Sequence, residues 1–497
     1  MVMKMFYEEI LNPIIENCTR YKEKEAFSIE DESYTYGEFA ARIANIRALV
    51  RNREMPNKHV GLVTNNDLET YASIIALWLE GYCYVPLHIK QPIDRCLDII
   101  EQVGIDTILD SSKKTRYEEA MVLNTKTQAD SPANLEPKQD VPDSQLAYIL
   151  FTSGSTGKPK GVTLSRLNIA AFMDSFWATG VQIDSMDRCL QCFDLTFDVS
   201  VQCYLSALTK GASVYTVPYG EGKYLKVAGL IDDYHLTFAV MAPSMLRYMQ
   251  LFFEQIDMTS LKGCILTAEA CPREQLESIY KYCPDVTLYD FYGPTECTIY
   301  CTYYQLHRDG GNKELNGIIS IGKPLKHCKG VILNEQGEEL PNGEKGELCI
   351  AGEQVTQGYW NNAEKNASSF FIRNGERYYH TGDLCYKDAY GDIMYSGRMD
   401  NQIKIQGFRV ELGEIEYHAR EVVQRNVVCL ALEENGSLIL HLVIEGKETD
   451  TKPILEYMKS KMPHYMIPAK FHFIEKFPLN NSDKIDRQTI KKQLTEA

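Results

Sequence analysis

No apolar run in this chain is long enough to cross a bilayer: the most hydrophobic stretch, Tyr71 to Leu79, stops at Glu80, well short of the roughly 20 residues that a spanning helix needs. Basic charge is also scarce. The 497 residues carry 52 Lys and Arg against 68 Asp and Glu, a net charge of −16, with no long basic cluster to offset it locally, so nucleic acid and anionic membranes are poor partners. The N-terminus lacks an export pattern, because Glu8 and Glu9 precede any long apolar run, and the expectation is a cytoplasmic protein. Cys189 and Cys192 form a CxxC without a second matching pair, so that motif reads as packing in a strand rather than a structural zinc site. Fifteen cysteines, an odd number without an export signal, read as reduced thiols. With 44% hydrophobic and 24% charged residues, the composition excludes a fibre, a disordered tail and a small disulfide scaffold.

What is present alternates. Tyr36 to Arg51 and Tyr71 to Leu79 look helical, while Val60 to Thr64 and Cys83 to Leu87 look like strands, the succession expected of parallel βαβ units. A polar, Pro-bearing connection, Asn124 to Gln145, leads into the apolar run Leu146 to Phe151. From Ile318 to Gly397, turn signals at Gln336-Gly337, Pro341-Asn342-Gly343 and Gly391-Asp392 interrupt short apolar runs, which predicts a β-rich part at about 318–397. Ile415, Ala419 and Val422 recur at helical spacing, strands are expected at Val427 to Leu432 and Leu438 to Ile444, and Ile454 to Met462 looks helical. The expected architecture is therefore α/β, with a large N-terminal domain over 1–399 and a small α+β C-terminal domain over 400–497 joined near Asp400 and Asn401.

The segment LAYILFTSGSTGKPKG, residues 146–161, carries the plainest chemistry. A strand runs into Thr152, Ser153, Gly154, Ser155, Thr156 and Gly157, followed by Lys158 and Lys160. Small residues let backbone N–H groups turn inward, hydroxyls add donors and lysines add positive charge, which together describe a polyphosphate cradle. It is not a Walker A loop, since Gly154 and Gly157 enclose two residues and Pro159 follows Lys158.

Further motifs follow in order: SYTYGEF (33–39), LEGYCYVPL (79–87), FDVS (197–200), FYGPTE (291–296), GELCIAGEQVTQGYW (346–360), YHTGDL (379–384), GRMDNQIKIQGFRVELGEIE (397–416), MPHYMIP (462–468) and NSDKIDR (481–487). With the glycine-rich loop, this series resembles the adenylate-forming enzymes, specifically the adenylation domains of nonribosomal peptide synthetases and the related D-alanyl carrier protein ligases. The resemblance implies ATP and Mg²⁺ as cofactors and two steps. A carboxylate attacks the α-phosphate of ATP to give an acyl adenylate and pyrophosphate, and a phosphopantetheine thiol then displaces AMP to give a thioester.

By the same resemblance Lys484 reaches the carboxylate and α-phosphate region as the catalytic cation, Glu296 is a catalytic Mg²⁺ ligand, and Tyr292 lies against adenine. Gly293 and Thr295 join the glycine-rich loop in binding nucleotide. Asp383 accepts from the ribose hydroxyls with Arg398 assisting, and Asp400 is the hinge of a mobile C-terminal lid. The usual Asn-Gly before the lysine is Ser482-Asp483 here, a departure that removes a glycine and adds a negative charge. Two Asp residues approximate the substrate motif, in Phe193-Asp194-Leu195-Thr196 and Phe197-Asp198-Val199-Ser200. The second matches better, and in amino-acid-activating relatives its Asp pairs with the substrate ammonium; the competing reading of Asp198 is a helix cap. Val199, Gln202, Val240, Leu266, Ala268, Phe291, Ile299 and Tyr300 are expected to line the side-chain pocket, where Phe291 and Tyr300 favour a small or medium substrate. No carrier-type serine motif follows Lys484, so the expected carrier protein is a separate chain. A D-alanyl carrier ligase, an acyl-CoA synthetase using coenzyme A and a non-catalytic nucleotide-binding homologue are the alternatives.

Overall fold

The computed structural model describes residues 5–53, 55–129, 134–154, 158–220, 222–400, 402–434, 436–479 and 485–495. Two compact units result, one of residues 1–89, 100–151 and 161–399, the other of 90–99, 152–160 and 400–497. The last segment of the first unit ends at Met399 and that of the second begins at Asp400; the two short early segments grouped with the second unit carry no local sequence signal of that membership.

In the first unit a nine-stranded sheet runs in the order Lys323–Pro324, Thr302–Gln305, Thr287–Tyr292, Gly263–Thr267, Phe238–Met241, Arg188–Gln191, Ser213–Thr216, Glu25–Ile29, Glu32–Thr35. It is parallel from Thr287–Tyr292 through Glu25–Ile29, and antiparallel strands close both edges. Alternate residues of its strands enter different cores. Cys189, Val214, Phe238, Val240, Ile265 and Phe291 join one core, and Leu190, Tyr215, Ala239, Met241, Leu266 and Leu288 the other, so both faces are covered, as parallel sheets require.

A seven-stranded sheet is parallel from Leu146–Thr152 through Cys83–His88, His59–Thr64 and Ile108–Asp110 to Val122–Asn124. Every residue of the helix Leu68–Glu80 is buried; its apolar residues run around the helix, and the buried Glu80 is paired with Arg47 at 2.6 Å. Asp67 caps it by accepting from the Thr70 N–H at 3.1 Å, and Gly81, at φ 75°, ends it. The helix Asp198–Lys210 is nearly as buried and ends likewise at Gly211. The two helices meet where the rings of Tyr71 and Tyr204 lie 5.7 Å apart. Turn signals from Ile318 onward resolve into an antiparallel sheet of Cys328–Leu333, Gly346–Gly352, Glu376–Lys387 and Phe370–Arg373, with Ile393–Arg398 on the long strand.

The second unit has its own core of Val410, Ile415, Ala419, Val427, Cys429, Leu442, Ile454 and Met458. The helices Leu412–Val423 and Lys452–Lys461 contribute to it, with the sheet Val427–Glu434, Ser437–Glu445, Lys470–Ile474. A hairpin of Gln402–Ile405 and Phe408–Glu411 turns through Gln406 and Gly407, both at positive φ, the geometry of a tight primed turn. All fifteen cysteines are buried and none is in a disulfide, and among the described residues no helix is long and apolar enough to cross a membrane.

Candidate active site

Parallel sheets place ligands at the carboxyl ends of their strands, and here the strand Thr287–Tyr292 delivers Gly293, Pro294, Thr295 and Glu296 at such an end. The chain then passes through two β-branched residues in the left-handed region, Thr298 (φ 56°) and Ile299 (φ 68°), a conformation costing on the order of 1–3 kcal/mol per residue unless the surroundings impose it. Gln354 helps impose it. Its side-chain N–H groups donate to the carbonyls of Tyr300 (2.6 Å) and Cys297 (3.3 Å), and its backbone carbonyl accepts from the Thr298 hydroxyl. Gly293 closes the turn from the other side, where an added Cβ would lie 2.5 Å from the Ile299 oxygen and the Tyr300 Cα. Gly293→Ala is therefore expected to cost about 1–3 kcal/mol in denaturant unfolding, whereas Gly229→Ala, within a helix and facing only the Asp233 carboxylate at 3.7 Å, is expected to be neutral or stabilising.

This turn sets two acidic side chains. Glu296 is wholly buried; its Oε1 accepts from the Tyr359 hydroxyl at 2.6 Å and its backbone oxygen from the Thr356 N–H at 2.8 Å. Asp198 opens the helix Asp198–Lys210, whose N-cap residue is Phe197 and makes no side-chain cap hydrogen bond. Burial pushes the Asp198 carboxyl up to about 6; the Thr295 hydroxyl and the N–H groups of Val199 and Ile299 oppose that rise, and Glu296 adds to it. Asp198 Oδ2 is buried and has no hydrogen-bond partner among the described residues.

The rival Asp194 is engaged. It pairs with His88 and accepts from both the N–H and the hydroxyl of Thr196 at 2.9 and 2.8 Å. Although burial acts to raise its carboxyl, His88 and these hydrogen bonds leave it below the usual range. Of the two, Asp198 has the acceptor capacity to spare.

Val199, Val240, Phe291, Ile299 and Tyr300 share one core. The rings of Phe291 and Tyr300 are 5.0 Å apart, with Phe172 5.8 Å from Tyr300, and the Tyr300 hydroxyl donates to Gln202 Oε1 at 3.5 Å. Ala268 lies just past its strand at φ 68°. Leu266 is not with them: it belongs to the opposite core with Met241 and Leu288. Strand alternation places Ile265 in the core of Phe291 and Tyr300, and the Thr267 hydroxyl bonds Tyr300.

Asp383 owes its place to an irregular register. Glu347 pairs with Leu384 while Cys349 pairs with His380, so the long strand carries surplus residues and arches at Thr381, Gly382 and Asp383, as a bulge does. Gly382 takes φ 71° there, and its N–H donates to Glu347 Oε1 at 2.9 Å. Arg398 donates to Asp383 Oδ1 at 3.1 Å and to the Thr381 carbonyl at 2.8 Å, and the Tyr292 hydroxyl donates to Asp383 Oδ2. The Tyr292 phenol is pushed well up, first by burial and then by Asp383, so it remains a neutral donor.

The glycine-rich loop belongs to the second unit. Ser153 donates through its hydroxyl to the Arg409 carbonyl at 3.0 Å and accepts from the Glu411 N–H at 3.2 Å. The Gly154 N–H donates to Glu414 Oε2 at 2.9 Å, and the Lys158 carbonyl lies 2.1 Å from where a Cβ on Gly154 would stand. A carboxylate thus holds an amide that the sequence assigned to phosphate, while the buried Thr152 hydroxyl has no partner among the described residues. Lys158 is exposed. Ser155, Thr156, Gly157 and Lys484 lie outside the described residues.

The family model of the AMP-binding enzymes matches residues 14–360. The chain belongs to this family. An adenylation domain of Vibrio cholerae, AlmE, solved with glycyl-adenosine-5'-phosphate, superposes at a TM-score of 0.84 with 25% identity, covering 98% of this chain and 97% of that one. Tyrocidine synthase 1 of Brevibacillus parabrevis is 30% identical over 96% of this chain, which spans 44% of that synthase. D-alanine–D-alanyl carrier protein ligase of Bacillus licheniformis is 28% identical over 97% of this chain and 99% of its own length. Within this AMP-binding enzyme, motif reading passed over Thr267, Gln354 and Glu347. Thr267 pairs with Phe291 across two strands, and Gln354 and Glu347 act through partners 54 and 35 residues away, for which the sequence holds no local signal.

Proposed function

We propose that this AMP-binding enzyme is an ATP-dependent amino-acid ligase that forms an aminoacyl-AMP and passes the aminoacyl group to the phosphopantetheine thiol of a separate carrier protein. The observation that carries the amino-acid assignment is Asp198, a buried carboxylate with one oxygen unmatched among the described residues, beside a turn held by Gly293 and Gln354. A buried anion needs a nearby cation, and a substrate α-ammonium supplies one. The buried Phe291 and Tyr300 rings, with Gln202 on the Tyr300 hydroxyl, favour a small side chain.

In the first step a substrate carboxylate oxygen bonds to the α-phosphorus while the bond to pyrophosphate breaks. In the second, the carrier thiolate bonds to the acyl carbon and AMP leaves. Asp383, held by Tyr292 and Arg398, offers acceptor oxygens to ribose hydroxyls. Glu296, a buried hard-oxygen donor, fits a magnesium ligand; when bound, the ion offsets phosphate charge. Lys484 is assigned the cation that meets the reacting groups, and Asp400, which accepts from the Gln402 N–H at 3.0 Å, the hinge. The carrier assignment draws support from the D-alanyl carrier ligase relative. Pyrophosphate exchange across a panel of L- and D-amino acids tests the proposal: exchange with D-alanine above all others selects the D-alanyl carrier ligase, and exchange with none despite ATP binding selects a non-catalytic nucleotide-binding protein.

The protonation of Asp198 gives a second test. Pairing with ammonium requires the carboxylate, and its carboxyl sits at about 6. The KM for the amino acid should therefore rise as pH falls through about 6, approaching tenfold per pH unit below it. The KM for an acid lacking the amine should show no such rise. Equal pH profiles for both substrates would remove the ammonium contact.

A further inference from the structure

On the sheet that carries Asp383, three unlike ligand atoms converge. Glu347 and Cys349 lie two residues apart on the strand Gly346–Gly352, and His380 pairs with Cys349 across the ladder. Cys349 Sγ is 3.6 Å from His380 Nδ1, which is 2.7 Å from Glu347 Oε2, and the three atoms all lie within 4.8 Å of one another. Among the described residues this is the one group of three or more His, Cys, Asp and Glu side chains so arranged.

We propose that Glu347, Cys349 and His380 form a binding site for a zinc-class divalent ion. Thiolate, imidazole and carboxylate together suit a borderline-soft ion, whereas magnesium and calcium prefer oxygen alone. Ligand atoms at ~2.0–2.3 Å from zinc in a tetrahedron stand ~3.3–3.6 Å apart. The sulfur–nitrogen separation already has that value, whereas Glu347 Oε2, now hydrogen-bonded to Nδ1 at 2.7 Å, must move off that nitrogen to take its own place. Cys349 is fully buried, while the side chains of His380 and Glu347 are 38% and 20% exposed, so the group faces solvent on their side. Binding breaks the His380–Glu347 hydrogen bond, moves the imidazole proton to Nε2 and sends the thiol proton to solvent. Because Glu347 Oε1 also holds the Gly382 N–H, the ion would share a ligand with the turn that presents Asp383.

The test is equilibrium dialysis of the tag-free, folded protein against zinc in a non-thiol reductant with a large excess of Mg²⁺, comparing wild type with His380→Gln and Cys349→Ser. Wild type is expected to hold one equivalent of zinc, each variant to bind at least about tenfold more weakly, and cobalt to give a near-ultraviolet thiolate-to-metal band that Cys349→Ser abolishes. Matching melting curves in the absence of metal show that the variants fold, and His380→Gln, at a half-exposed position, carries the comparison if Cys349→Ser does not. Equal zinc binding by wild type and His380→Gln, or a cobalt complex without the thiolate band, overturns the proposal.

Discussion

Asp198→Ala is expected to lower kcat/KM for the preferred amino acid by about two to three orders of magnitude, while the des-amino analogue of that substrate loses less than about threefold. Truncating one partner of a buried charge pair costs about 2–5 kcal/mol, much of it the desolvated charge left behind, and here that stranded charge is the substrate ammonium. The isosteric Asp198→Asn separates this role from a structural one. Burial raises the folded carboxyl from 3.8 to about 6, so the ionised group opposes folding. The sign runs against the common Asp case: the penalty is absent below about 4, grows as pH rises towards 6 and is constant above, at roughly 3 kcal/mol. Asn carries no charge and leaves no cavity, so this variant should lose amino-acid activity and gain resistance to denaturant at pH 7 to 8. A residue kept for packing would lose both together. Equal losses with the amino acid and its des-amino analogue would sink the assignment.

The division between what was legible and what was not follows the range of the forces involved. The helical stretch Tyr71 to Leu79 was legible because its apolar composition is local, although the Asp67 cap and Gly81 that bound the full helix Leu68–Glu80 were passed over, and the strand at Val60 to Thr64 because a short apolar run bounded by polar residues suffices. The local motif match favoured Asp198 over Asp194, but the different surroundings of the two carboxylates were not legible: distant His88 pairs with Asp194, whereas Asp198 keeps an oxygen unmatched among the described residues. Leu266 was misplaced because motif spacing fixes a position along the strand but not the face, and only pairing with Asp290 and membership of the opposite core reveal which way it points. The segment 90–99 shows the extreme. Arg95 and Glu414, 319 residues apart, are both buried and paired at 2.7 Å, an arrangement that neither neighbourhood announces.

Lys484→Ala is expected to reduce amino-acid-dependent pyrophosphate exchange by about a hundred- to a thousandfold, the ~3–4 kcal/mol lost when a group stabilising transition-state charge is removed. The expectation rests on the charge of the reaction. A carboxylate approaching a triphosphate meets repulsion that grows as the new bond forms, so a compact cation placed there acts more on the transition state than on bound ATP. Hence kcat should fall with little change in the KM for ATP. Transfer from chemically supplied aminoacyl-AMP to a carrier thiol, which makes no new bond to phosphorus, should fall much less. Lys484→Arg keeps the charge on a wider, planar group and should recover only part of the loss. If exchange is unchanged in Lys484→Ala, the cation for the first step lies elsewhere, and the candidates are Lys158 and Lys160 beside the glycine-rich loop. If exchange and thioester transfer fall equally, the residue serves the fold or the carrier step. The asymmetry between the two half-reactions is therefore the quantity that assigns Lys484.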